Sequence, residues 1–184
     1  MLDLIRKMTE DMRGKVQLMV GRALLMAVND QGAIQTAQVQ LLAEEVHDDA
    51  ERIQEYGFTS VPKKGAEAVV TFVGGNRDHG LIIAVDDRRY RLKGLQSGEV
   101  AIYDDQGQKV HLTRAGIVVD GAGKQITFKN APKARMEMDL EVTGDIKDKC
   151  DTSGKTMAGM RTIYNGHDHN DPQGGAVEPP NQQM

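Results

Sequence analysis

Fifteen residues near the C-terminal end, 136–150, constrain this chain more than any other stretch. Their even positions are Met136, Met138, Leu140, Val142, Gly144, Ile146, Asp148 and Cys150; their odd positions are Glu137, Asp139, Glu141, Thr143, Asp145, Lys147 and Lys149. One phase is nearly all apolar and the other nearly all charged, which is the period of a strand with one face buried and one face wet. Alone, such a strand does not hold. Burial returns about 1.5–3 kcal/mol for every second residue, whereas ordering the backbone costs about 1–2 kcal/mol for every residue. The neighbouring segments are short and rich in turns, so the apolar phase is covered most economically by identical segments of other chains wound about a shared axis. A closed arrangement of that kind also leaves no bare strand edge. Cys150 falls on the inward phase, where a buried free thiol is expected.

The second feature follows close behind: Tyr164-Asn165-Gly166-His167-Asp168-His169-Asn170-Asp171-Pro172. In extended backbone His167 and His169 project on one face and Asp168 on the other. Two imidazoles are too few to hold a metal ion tightly, and no third His, Cys or Glu stands nearby at an ordinary ligand spacing. Three copies meeting on a three-fold axis would bring six imidazole nitrogens together. Six-coordination favours iron or nickel over zinc, whose structural sites are tetrahedral. Without a metal the same residues read as a polar C-terminal loop.

Composition points the same way. Aromatic residues make up 4% of 184, Trp is absent and Gly numbers 20, which leaves little bulk for a large core within one chain. The length fits one medium domain or two small ones. The net charge is -4 and no basic run exceeds Lys63-Lys64 or Arg88-Arg89, so no nucleic-acid partner is expected. A single cysteine excludes an intrachain disulfide framework and fits synthesis in a reducing cytoplasm. Asp3, Arg6, Lys7, Glu10 and Asp11 interrupt the N-terminal residues, which therefore lack the apolar core of a signal peptide. No run of about 18 apolar residues is present to span a membrane as a helix.

Met1, Leu4, Ile5, Met8 and Met12 follow helical spacing with charges opposite, predicting an amphipathic helix over residues 1–14 that Gly14 ends. It is expected to pack on its own protein or on a sister subunit. Residues 15–88 form the next domain. Strand signals at 23–28 and 34–42 flank the turn Asn29-Asp30-Gln31-Gly32, and those at 68–73 and 81–85 flank a glycine-rich connection. The polar stretch 48–57 reads as a long surface loop with an optional helical turn. Five short strands with a long connection before the fourth match a small closed barrel of the OB type. Many OB-folds hold single-stranded nucleic acid on aromatic platforms in a basic groove, but Tyr56, Phe58 and Phe72 have no positive field around them. Residues 89–160 read as strand throughout, at 99–103, 109–113, 117–119 and 125–129, then through the alternating segment, with small polar residues over 151–159 suiting a narrowing strand path. Residues 161–184 make the last unit, in which Arg161-Thr162-Ile163-Tyr164 leads into the His pair and a tail of Pro and Gly forms no regular structure.

Several ordered blocks carry a resemblance. Gln35-Thr36-Ala37-Gln38-Val39-Gln40, Tyr56-Gly57-Phe58-Thr59-Ser60-Val61-Pro62, Gly65-Ala66-Glu67-Ala68, Gly74-Gly75-Asn76-Arg77-Asp78-His79-Gly80, Asp86-Asp87-Arg88-Arg89-Tyr90-Arg91 and Gly98-Glu99-Val100-Ala101-Ile102-Tyr103-Asp104-Asp105 strongly resemble the central spike of contractile-tailed Mu-type bacteriophages, related to the P2-type baseplate spikes. The likeness covers nearly the whole chain. It implies an all-β homotrimer with a short N-terminal helix: an OB-like barrel docked on the tail hub and baseplate proteins, a triple-stranded β-helix as shaft, and a metal-closed apex. The family's His-x-His pair, three copies to one axial iron ion, carries over to His167 and His169. Some family apices hold further ions, for which no ligands are assigned here. The resemblance also implies a virion protein with no catalytic activity that pierces the bacterial outer membrane when the tail sheath contracts.

Two other readings stand beside it. A metal-dependent hydrolase would need an open coordination position for water and a base such as Asp168 or Asp171, and a six-histidine cage leaves no position open. A trimeric receptor- or carbohydrate-binding tip would display aromatic side chains for stacking, and only Tyr164 stands near the His pair.

Overall fold

A computed structural model describes residues 2–42, 45–168, 172–175 and 182, with Leu42 described by its backbone alone. The chain divides into two units, Met1–Ile126 and Thr127–Met184.

The first unit opens with α1 (Leu2–Gln17). Leu4, Ile5, Met8, Met12 and Val16 recur at helical spacing and are all exposed, while the ion pairs Arg6–Glu10 and Asp11–Lys15 link successive turns. The helix passes through Gly14, its expected end, and stops at Gln17. A glycine costs only about 1 kcal/mol inside a helix. Termination comes instead where the Leu18 and Met19 N–H groups turn back to the Lys15 and Val16 carbonyls and the first strand begins.

Five strands then close a barrel: β1 (Val20–Asn29), β2 (Gln35–Leu42), β3 (Glu45–Arg52), β4 (Glu67–Phe72) and β5 (Gly80–Asp86), ordered β1-β2-β3-β5-β4. β4 returns to β1, and all neighbours are antiparallel except β3 and β5, which meet in parallel at Glu51↔Leu81 and Arg52↔Ile82. This is an OB-like closure, as expected. Leu25, Val39, Val70, Ile82 and Phe72 fill the interior, with Ala23, Ala37, Ala50, Ala66 and Ala68 between them. Small residues let a five-stranded barrel close tightly.

β3 corrects the sequence reading, which had a surface loop over 48–57. Its side chains are mostly polar and Ala50 is the only one of its residues in the core, so it shows no apolar alternation. Pairing on both sides holds it as a strand, and the register shifts opposite 37–39 near Asp49, whose φ is +57°. The glycine-rich connection begins as a short 3-10 turn, Val73–Gly75, which meets the end of α1. A Cβ at Gly75 would lie 2.6 Å from the Lys15 carbonyl oxygen, and φ there is +75°, so glycine is required.

Between β3 and β4, residues 53–60 form a loop pinned from one side chain. Arg52 donates from Nη1 to Gln35 Oε1 (2.8 Å), Gln54 Oε1 (3.0 Å) and the Ser60 carbonyl (2.6 Å), and from Nη2 to Ser60 Oγ (2.9 Å). Buried Gln35 donates in turn to Asp30 Oδ1 and the Ser60 carbonyl. Desolvation lowers the Arg52 pKa, against the opposing pull of Asp30.

β6 (Val100–Tyr103), β7 (Lys109–Leu112) and β8 (Ile117–Asp120) complete the unit as a three-stranded antiparallel sheet. Residues 125–129, expected as a further strand, form none, because no described strand pairs with them.

The second unit departs from expectation at a helix, while its alternating segment, expected to pair only between copies, stands alone in one chain. Residues 136–150 form no ladder within the single chain; the one bridge there is Lys147↔Thr156. Strand hydrogen bonds need a partner strand, and this segment has none among the described residues. Cys150, expected on a face buried between copies, is exposed in the single chain. Beyond it lies a helix, α2 (Met157–Gly166), where a strand path was expected and where an all-β reading allowed none. Thr156 caps it, its Oγ1 accepting from the Gly159 N–H at 3.0 Å, and Met157, Met160, Ile163 and Tyr164 recur at helical spacing.

Candidate functional site

Register turns the short strands β6–β8 into a surface. Val100 pairs with Leu112 and Leu112 with Ile117; Ile102 pairs with Val110 and Val110 with Val119. Two rows of three aliphatic side chains therefore share one face, since alternate residues point the same way. All six are exposed. Soluble chains seldom leave so continuous an aliphatic patch open to water unless something covers it.

The opposite face is the more polar one. Its rows are Ala101–His111–Val118 and Tyr103–Lys109–Asp120. Lys109 Nζ stands 2.9 Å from Asp120 Oδ2 across the ladder. The Ala122 N–H and the Lys109 ammonium hold the Asp120 carboxyl below its ordinary range. Glu99 is held low as well: it accepts the backbone N–H groups of Gln96 (2.9 Å) and Arg114 (3.0 Å), with His111 Nε2 3.3 Å away. The sheet thus has one face with its charges paired and one face with nothing but hydrocarbon.

In the second unit the apolar phase of the alternating segment is equally open. Met136, Met138, Leu140, Val142 and Ile146 are all exposed, as are Met157, Met160, Ile163 and Tyr164 on α2.

His167 is the C-cap of α2. Its ring lies against that of Tyr164, centroids 5.3 Å apart and planes at 47°, and Nδ1 bonds the Tyr164 carbonyl oxygen. A carbonyl only accepts, so Nδ1 donates, which in a neutral ring leaves the lone pair on Nε2. That tautomer, fixed by a backbone carbonyl, is the one in which a histidine ligates a metal through Nε2. His169, its expected partner, lies outside the described residues. Among the described residues no group of three His, Cys, Asp or Glu side chains could hold a metal ion.

Sequence reasoning missed the paired aliphatic rows, although alternation at 100–102, 110–112 and 117–119 was legible in each strand; register is what joins them. It also missed Tyr164 as the group that orients His167, because it expected no helix there to carry Tyr164. Among the described residues no helix is long and apolar enough to cross a membrane.

Residues 22–89, which take in the barrel from β1 to just past β5, match the family Bacteriophage Mu Gp45, N-terminal. The chain is 38% identical over 161 residues to the baseplate puncturing device gp45 of Escherichia phage Mu, covering 88% of this chain and 74% of that protein. It is 34% identical over 186 residues to the Mu-like prophage FluMu protein gp45 of Haemophilus influenzae, covering 94% of this chain and 98% of that one.

Proposed function

The chain belongs to the bacteriophage Mu Gp45 family, and from that premise we propose that it is the homotrimeric central spike of a phage baseplate, driven through the host outer membrane when the tail sheath contracts. It is a structural component of the virion and works with other baseplate proteins; it is not an enzyme. The observation that carries the trimer is the aliphatic face of β6–β8 together with the open apolar phase of residues 136–146. The first is a strand face and the second has the alternation of one, and both stand open among the described residues.

Three copies sharing these faces would make a shaft whose core runs between chains. Bending or fraying it requires exposing that core in all three chains at once, which is the stiffness that puncture demands. The charged odd phase, Glu137, Asp139, Glu141, Asp145, Lys147 and Lys149, would form a wet exterior that does not adhere to what it crosses. At the tip, His167 and His169 from each chain would hold one iron ion, which would serve as a cross-link where a narrow bundle frays first. The Tyr164 carbonyl sets the His167 tautomer for that role.

Native mass spectrometry with elemental analysis of the purified protein tests this. A trimer carrying one iron per three chains is expected; a monomer, or one zinc per chain, would overturn it.

A further inference from the structure

The loop pinned by Arg52 displays two aromatic side chains. Residues 55–58 make a tight turn, the Phe58 N–H donating to the Glu55 carbonyl at 3.0 Å, with Gly57 at φ +87°. Tyr56 is fully exposed and Phe58 is 65% exposed. The loop is nonetheless held firmly: beyond the Arg52 bonds, the Ser60 N–H donates to Gln54 Oε1 at 2.9 Å and Gln54 Nε2 to Thr59 Oγ1 at 3.4 Å. Rigid aromatic groups held out in water lose little conformational freedom on burial, as binding anchors do.

Below the turn lies a cleft of about 600 Å³, lined by Ile53, Tyr56, Phe58, Ile83, Val85 and Ile102 among others. Ile102 decides what fills it. That residue belongs to the aliphatic row Ile102–Val110–Val119, so the cleft adjoins the aliphatic face at the β6 edge of the sheet. Cover laid on the sheet face by another copy therefore reaches the edge of the cleft. We infer that a second copy of this chain fills the cleft, with Tyr56 and Phe58 as anchors, so that the contact between copies extends from the shaft onto the barrel. This rests on the trimer reading above. It assigns the exposed Tyr-Gly-Phe turn to subunit contact and not to ligand binding.

The absence of Trp makes a direct test possible. Phe58→Trp, and separately Tyr56→Trp, each place a single indole in the full-length protein. Tryptophan emission and acrylamide quenching are read on the native protein, with the mass of each sample measured by native mass spectrometry. A trimer with blue-shifted, quencher-shielded emission that becomes water-like when the copies are separated by dilution or mild denaturant supports the inference. A trimer whose indole is freely quenched at both positions overturns it and leaves the trimer standing. A monomer with exposed emission overturns both. Shielding that persists in separated, folded chains places the cover within one chain and also overturns it.

Discussion

Arg52→Ala should loosen the aromatic turn without unfolding the barrel. Nη1 faces three acceptors with two hydrogens, so one bond is shared and about three bonds' worth of interaction is lost in all. The Ser60 groups and Gln54 stand near solvent, where water replaces most of what they lose. The Gln35 side chain is buried, 5% exposed, and its Oε1 keeps no other protein donor among its hydrogen bonds given above. Leaving such an acceptor bare costs about 1–3 kcal/mol, and the charged bonds at the rim add about 1 kcal/mol between them. A local cost of about 2–3 kcal/mol corresponds to about a 30- to 150-fold faster opening-limited exchange, at roughly 1.4 kcal/mol per tenfold. The assay is amide hydrogen exchange at Phe58 and Ser60, whose N–H groups bond the Glu55 carbonyl and Gln54 Oε1. Arg52→Lys keeps the charge but not the fork and should fall between wild type and Arg52→Ala. Unchanged exchange at both amides in Arg52→Ala would refute the latch.

Val110→Asp places a carboxylate at the centre of the row Ile102–Val110–Val119, where burial without a partner costs on the order of several kcal/mol in every copy; the expected outcome is loss of the trimer, read as monomer mass in sedimentation. His167→Ala combined with His169→Ala should leave the shaft trimeric, lower its thermal resistance and abolish bound iron; undiminished iron by elemental analysis would refute the ligand assignment. Glu99 contributes an acid-sensitive element. Its pKa is depressed in the folded chain, first by the Gln96 N–H and then by that of Arg114, so the stability it gives is fully present above its unfolded value of about 4.3 and is lost as pH falls through the lower folded value. Protection of the Gln96 and Arg114 amides should fall over that acid range in wild type, and in Glu99→Gln it should already be reduced at neutral pH.

Where the chain announced its fold, it did so through alternation. β1, β2, β4 and β5 each carry aliphatic residues facing the barrel interior, and the sequence signals fall on all four. β3 carries no such mark: its side chains are mostly polar, its one residue in the apolar core is an alanine, and neighbours on both sides supply the pairing. The helix α2 was legible in principle. Thr156 stands as an N-cap and Met157, Met160, Ile163 and Tyr164 recur every three to four residues, but Gly159 and the small residues before it favoured a strand path. Residues 136–150 present the opposite case. Their pattern is the clearest in the chain, yet in one copy they form no ladder, because the pattern specifies a face and a face needs something to meet. The His pair was legible as chemistry, and His167 has the extended backbone expected of it, but it follows directly on a helix whose Tyr164 lies against its ring, and that helix was not expected.

Hydrogen exchange across residues 136–150 of the purified, full-length protein tests the central claim most directly. The account predicts strong protection along this segment, since three copies would give its amides ladder partners that one chain does not provide. Exchange there at the rate of unstructured peptide, in protein whose barrel amides remain protected, would contradict a shaft built between chains.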